Sequence, residues 1–125
     1  MAISRLLSSR NSTVQPQVRM YKRSYDAVII PGPGNYYTPD IIGYAGRGTL
    51  IIHVHADDAM TVIVNQGEDC IVAVLAGAGS YFIAVPVIAD NIRGNFYNAG
   101  GAPITLAGSI AVVPGLAAFT FAVLD

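Results

Sequence analysis

Charge is scarce in this sequence of 125 residues. Charged side chains make up 12% of the chain and hydrophobic ones 53%, whereas a typical soluble domain is about 25% charged. The single cysteine excludes an intrachain disulfide framework and the common four-cysteine zinc sites. Cys70 precedes an Ile-Val-Ala-Val run, and we expect it to be a buried, inert thiol. We expect a body with so few charges to bury part of its surface against a partner, in addition to the surface that its own fold buries.

Catalytic motifs are also lacking. The chain contains no GxSxG, no GxxxxGK[ST] and no dinucleotide-binding glycine fingerprint. Adjacent carboxylates occur only at Asp57-Asp58 and Glu68-Asp69, where a solvated turn is the simplest interpretation and weak calcium binding is the alternative. We therefore expect a protein that is not an enzyme and has no catalytic residue, cofactor or small-molecule substrate.

The few charges are segregated along the chain. Residues 1–25 contain five of the seven basic side chains and no acid, and the rest contains two basic groups and eight acids. A polar segment without a periodic apolar face buries too little surface to offset its ordering entropy. We therefore predict an N-terminal extended arm at 1–25, held by an external partner, and a body at 26–125. An organellar transit peptide is the alternative interpretation of the Arg- and Ser-rich start.

The body shows short β segments and no convincing helix. Segments rich in Val, Ile, Phe and Tyr alternate with turn sequences, which predicts an all-β antiparallel β-sandwich, with the jelly roll as the leading architecture. The uncharged stretches 70–89 and 103–124 have the length of membrane helices, the alternative here, but glycine and proline interrupt both and no Lys/Arg cluster flanks them. The predicted strands are 27–30, 49–55, 60–65, 70–75, 80–88, 93–98, 104–106, 109–113 and 116–124.

The predicted strand faces suggest further assembly. In the strand at 49–55, Leu50, Ile52 and Val54 point to one face and Ile51 points to the other. Large apolar groups thus stand on faces where a monomeric sandwich is expected to carry polar ones. A subunit interface explains this pattern, and an ordinary partly apolar surface is the alternative. The large apolar residues on these second faces are Ile51, Ile63 and Leu124.

Two histidines carry the main chemical signal. His53-Val54-His55 places two imidazoles on one strand face, a spacing that can chelate a metal. Together with Gly48, Asp58 and Gly67, and with Gly108 to Gly115 near the end, this pattern resembles the two motifs of the cupin family. The resemblance implies a jelly roll and, as an alternative function, a metal-binding enzyme. The chain departs from that family because Asp58 stands at the glutamate position and no third histidine exists, so we expect no bound metal.

Aromatic and basic residues alternate at the end of the arm, in Tyr21-Lys22-Arg23-Ser24-Tyr25. Such alternation occurs in nucleic-acid platforms and also in protein interfaces, where Tyr and Arg serve as anchors. We favour the protein interface and expect no direct nucleic-acid or membrane partner. The predicted partner-binding residues are Arg5, Arg10, Arg19, Tyr21, Lys22, Arg23 and Tyr25.

A basic arm followed by a charge-poor β-sandwich resembles the capsid decoration (cement) proteins of bacteriophages. The resemblance implies a structural virion protein on the capsid surface, whose partner is the major capsid protein. It further implies a homo-oligomer, with a trimer favoured, in which the arm bases pair with acids of the coat. A phage tail, baseplate or receptor-binding subunit is the alternative structural role.

Overall fold

The computed structural model of the protein describes residues 21–124, and this part of the chain is built from strands. The stretches considered as membrane helices form strands instead, because their glycines and prolines break them into short β segments. Within residues 21–124, no helix is long and apolar enough to cross a membrane. The strands are β1 Tyr21–Ile30, β2 Gly34–Tyr37, β3 Ile41–Ile42, β4 Gly48–Ala56, β5 Met60–Asn65, β6 Asp69–Leu75, β7 Gly79–Pro86, β8 Asn91–Asn98, β9 Ile104–Pro114 and β10 Thr120–Val123.

The strands pack as two antiparallel sheets. The first sheet has the order β1-β9-β4-β7-β10, and the second has the order β2-β8-β5-β6, with β3 also paired to β8. Without β3 and β10, the remaining eight strands pair first with last, second with seventh, third with sixth and fourth with fifth. This nested pairing is a long antiparallel hairpin rolled into two sheets, which is the jelly roll. The predicted fold class is confirmed.

Alternation along each strand places one face of each sheet in the core. Leu50, Ile52 and Val54 of β4 are buried, whereas His53 and His55 between them are exposed. The same alternation holds in β5, as the sequence predicts. Across the sandwich the core also takes in Phe96 of β8, which is among the largest fully buried side chains of the described residues.

Several strand boundaries differ from the prediction. The segments predicted at 104–106 and 109–113 form one strand, β9, which continues through Gly108. The strand predicted at 116–124 is reduced to β10, because residues 115–117 are held in a loop by the Thr49 side chain. The short strands β2 and β3 were not predicted. The strand predicted at 27–30 begins at Tyr21 and contains a bulge between Tyr25 and Val28, so the predicted boundary between arm and body lies inside β1.

Two polar side chains hold the loops at opposite ends of the sandwich. Gln66 accepts hydrogen bonds from the amides of Ile88 and Ala89 and donates one to the carbonyl of Pro86. Asn98, which is buried, donates to the carbonyls of Ile30 and Ala102 and accepts from the Gly100 amide. These contacts supply partners for loop backbone groups that have none in the strand ladders, and they fix the loops at both ends of the two sheets.

Candidate interaction surfaces

The outward side of the first sheet is a nearly uncharged surface, which we call the first outer face. Its members are identified by register, because residues paired across neighbouring strands point to the same side. Across its middle, Ser24, Ser109, His53, Phe82 and Ala122 lie side by side from β1 to β10. The adjacent row is Lys22, Ala111, Ile51, Ala84 and Thr120.

The two histidines lie at the centre of the first outer face. Nδ1 of His55 is 3.0 Å from the hydroxyl oxygen of Ser80, and the His53 ring meets the Phe82 ring edge-on at a centroid distance of 5.7 Å. A shallow depression of about 210 Å³ opens beside them, and Ser109 and Leu124 also line it. These groups offer a neutral, mixed apolar and hydrogen-bonding contact surface.

The cupin-like metal interpretation rests on the same two histidines. Both side chains are exposed to solvent and lie outside the sandwich, since Val54 between them points into the core. Asp57, a possible carboxylate ligand, already accepts a 2.9 Å hydrogen bond from the Thr105 amide. Asp58 accepts one from the Ala59 amide. Among residues 21–124, no group of three or more His, Cys, Asp or Glu side chains is positioned to hold a metal ion.

The outward side of the second sheet, the second outer face, has a different character. Arg93 and Asp69 both lie in the row of Asn65 on this face, and Arg93 lies over the Tyr37 ring at 4.7 Å. Tyr37 pairs with Asn95, whose side-chain oxygen is buried without a hydrogen-bond partner among the described residues. On the edge strand β6, Ile71 and Val74 are each 63% exposed. The sequence pattern placed Ile63 on this face but did not indicate Ile71 and Val74, because a bulge in the β5–β6 pairing disturbs the alternation along β6.

The predicted partner-binding residues of β1 are divided between core and surface. Tyr25 is 7% exposed and packs edge-on against Tyr36 at 5.6 Å, whereas Lys22 and Arg23 are exposed. Burial of the Tyr25 hydroxyl, with smaller contributions from Tyr21 and Tyr36, raises the pKa of Tyr25 to about 12. The hydroxyls of Tyr21 and Tyr25 find no hydrogen-bond partner within the described part of the chain.

The remaining predicted partner-binding residues, Arg5, Arg10 and Arg19, lie outside the described residues. Within the described part, the structure places Lys22 and Arg23 at the end of β1 that adjoins the predicted arm. It brings Tyr21 and Tyr25 into contact with the body of the protein. The partner-binding role of all seven residues therefore stays a prediction.

Cys70 corrects one prediction from the sequence. We expected a buried thiol, but Cys70 is exposed, because it lies near the start of the edge strand β6, where residues 69–71 are all exposed. An apolar run that follows a turn does not reveal which strand will stand at the edge of a sheet. The exposed edge position explains the difference.

Comparisons with known proteins found no family model, no curated protein and no solved structure that matches this chain.

Proposed function

We propose that this protein is a structural virion subunit that decorates a bacteriophage capsid. Its basic N-terminal arm binds the coat lattice, and its β-sandwich contacts the coat and further copies of the same chain. Such a role needs surface complementarity and many contacts instead of a catalytic centre. The body supplies the contact surface, and the arm supplies charge and reach.

The observation that carries this proposal is the amount of apolar surface left open on several sides of the body. Large hydrophobic side chains are exposed on both outer faces, at the loop ends and along the C-terminal segment. Scattered exposed apolar residues are ordinary, but contiguous ones mark interaction sites. The exposed large hydrophobic residues are Ile29, Tyr37, Ile42, Ile71, Val74, Ile88, Leu116, Phe119, Phe121, Val123 and Leu124.

The charge distribution supports separate roles for the arm and the body. Of the seven basic side chains, five belong to residues 1–25, and Lys22 and Arg23 remain exposed at the start of β1. Several basic side chains within one short segment favour an acidic partner surface and accelerate binding to it. Binding through both the arm and the body is tighter than binding through either one, because the second contact forms within the complex that the first has already made.

The jelly roll is compatible with this role, although it does not decide it. The fold occurs in viral capsid proteins, lectins and cupins, so architecture leaves several functions open. The exposed position of the two histidines favours a contact surface over an enclosed metal centre. The distribution of apolar surface and basic charge therefore carries more weight than the fold.

The test is binding to coat shells assembled without this protein. Because β1 begins at Tyr21, the informative truncation removes residues 2–20 and keeps β1 intact. We expect the truncated protein to stay folded and to lose shell binding, measured by co-sedimentation. Binding of the full-length protein should weaken as salt rises, because exposed charges are screened.

Charge substitutions separate the arm from the rest of the chain. Replacing Arg5, Arg10 and Arg19 together by Glu should abolish binding, whereas replacing Ser8 and Ser12 by Ala, the matched arm control, should leave it unchanged. Full occupancy of shells by the truncated protein would overturn the proposed arm function. Binding to purified tails instead of shells would assign the protein to the tail, the alternative structural role.

A further inference from the structure

The first outer face carries little charge and is nearly flat. The charged side chains of its edge strand β1 are Lys22 and the exposed Asp26 of the β1 bulge. The Asp57 carboxylate lies beyond the end of β4, where it accepts a hydrogen bond from the Thr105 amide. The titratable groups in its middle are His53 and His55, and β9, β7 and β10 direct no ionisable side chain onto it. A charged partner would therefore find little to pair with on this surface.

Small side chains make the face flat enough for another sheet to approach. Ser109 and Ala111 of β9, Ala84 of β7 and Ala122 of β10 lie around the larger Phe82. Two sheets that pack face to face lie about 10 Å apart, a spacing that small central residues permit. The second outer face lacks this flatness, since Arg93 and Tyr37 are stacked on it.

We propose that two copies of this chain associate face to face through their first outer faces. The proposal names the surface for the self-association included in the proposed function, and its test needs no coat. A second copy fits because it brings the same neutral surface, so that contact buries no unpaired charge at the centre. A pair formed by one patch on both copies has two-fold symmetry, which makes it a dimer and not the trimer expected from the resemblance.

The size of the face agrees with a stable pair. Five strands spaced by about 4.8 Å, with about eight residues each on average at roughly 3.3 Å per residue, give a face of about 630 Å². Two copies would bury about 1,300 Å², which lies within the range of about 1,200–2,000 Å² for stable protein interfaces. The available area is therefore sufficient for a specific dimer.

The experiment measures the mass of the full-length protein alone, by light scattering after size exclusion and by sedimentation velocity over a concentration series. We expect a dimer of about twice the 13.1 kDa chain mass. Ser109→Lys, which places a cation on both sides of the contact, should raise the dissociation constant at least about a hundredfold. Val74→Lys, at an exposed position on the second outer face, is the matched control and should leave the mass unchanged.

Circular dichroism of each variant checks that the fold persists. A monomeric full-length protein, a trimer, or dissociation caused by Val74→Lys and not by Ser109→Lys would overturn the proposal.

Failure here and failure of the proposed function are distinguishable. A dimer that binds neither coat shells nor tails would support the proposed interface and overturn the virion role. A monomer that binds shells through its arm would keep the virion role and overturn the interface.

Discussion

Gly108 of β9 packs directly against the backbone of His53 on β4. A Cβ atom at position 108 would overlap the His53 carbonyl oxygen, and Gly108 adopts a φ of +147°, which side chains other than hydrogen rarely tolerate. Val54 pairs with Gly108 and His53 with Ser109. The glycine thus allows β9 to run uninterrupted beside β4, the strand that carries the histidines of the first outer face.

Replacing Gly108 by Ala should destabilise the fold strongly. The added methyl group meets rigid backbone and a disfavoured φ, so we expect the free energy of unfolding to fall by about 2–4 kcal/mol in urea denaturation. Gly101→Ala is the matched control, since the space around that position is open. A loss below about 1 kcal/mol at position 108 would contradict the close approach.

Thr49→Val should release the segment that leads into β10. The buried Thr49 hydroxyl donates to the Gly115 carbonyl at 2.6 Å and accepts from the Ala117 amide at 2.9 Å. Valine keeps the shape and removes both bonds, which we expect to cost about 1–3 kcal/mol. In Thr49→Val, hydrogen exchange at the Ala117 amide should accelerate. In the control variant Thr105→Val, at an exposed position, exchange at the same amide should stay unchanged. Unchanged exchange at Ala117 would refute the anchoring role of Thr49.

Gln66→Ala should loosen the β7–β8 loop. The side-chain oxygen of Gln66 accepts from the amides of Ile88 at 2.8 Å and Ala89 at 3.1 Å, and both amides lose this partner in the variant. We expect a loss of about 1–2 kcal/mol and faster exchange at both amides. Glu68→Ala, at an exposed position in the same turn, should change neither quantity. Equal exchange in the two variants would argue against this contact.

Tyr25→Phe should change how stability depends on alkaline pH. The folded protein holds the pKa of Tyr25 at about 12, above the ordinary value of about 10, because burial favours the neutral hydroxyl. Below about pH 10 the hydroxyl is neutral in both the folded and the unfolded chain, so its ionisation does not affect stability. As pH rises from about 10 through about 12, the unfolded chain ionises first and stability falls. The variant lacks this loss, so its free energy of unfolding should decline less steeply between pH 9 and pH 12.

At neutral pH the same variant should be as stable as the wild type or more so. Among the described residues the Tyr25 hydroxyl is buried without a partner, so its removal forfeits no hydrogen bond. Tyr37→Phe, at an exposed position, is the control and should keep the wild-type alkaline decline. A clear loss of stability at pH 7 in Tyr25→Phe would reveal a partner for that hydroxyl.

Much of the fold was predictable because its causes are local. Period-two alternation identified the inward residues of β4 and β5, and glycine and proline identified most turns. Prediction failed where distant residues decide the outcome. The loop at 115–117 is held by Thr49, 66 residues earlier in sequence from Gly115, and β9 continues through Gly108 because β4 lies against it.

The candidate surfaces were predictable in part. The apolar character of Ile51 and its place opposite the core follow from the pattern of β4. The neutrality of the first outer face does not, because its rows join residues from β1, β9, β4, β7 and β10. The exposure of Cys70 likewise depends on which strand stands at the edge of the second sheet.

By itself, the sequence determined an all-β body, a segregated basic start and a shortage of charge, because alternation, turn chemistry and composition act within a few residues. Tertiary structure alone decided the jelly-roll pairing, the burial of Tyr25 and the assembly of one flat neutral face from five strands. Those outcomes depend on contacts between residues far apart in the chain, which become neighbours only when the sheets form.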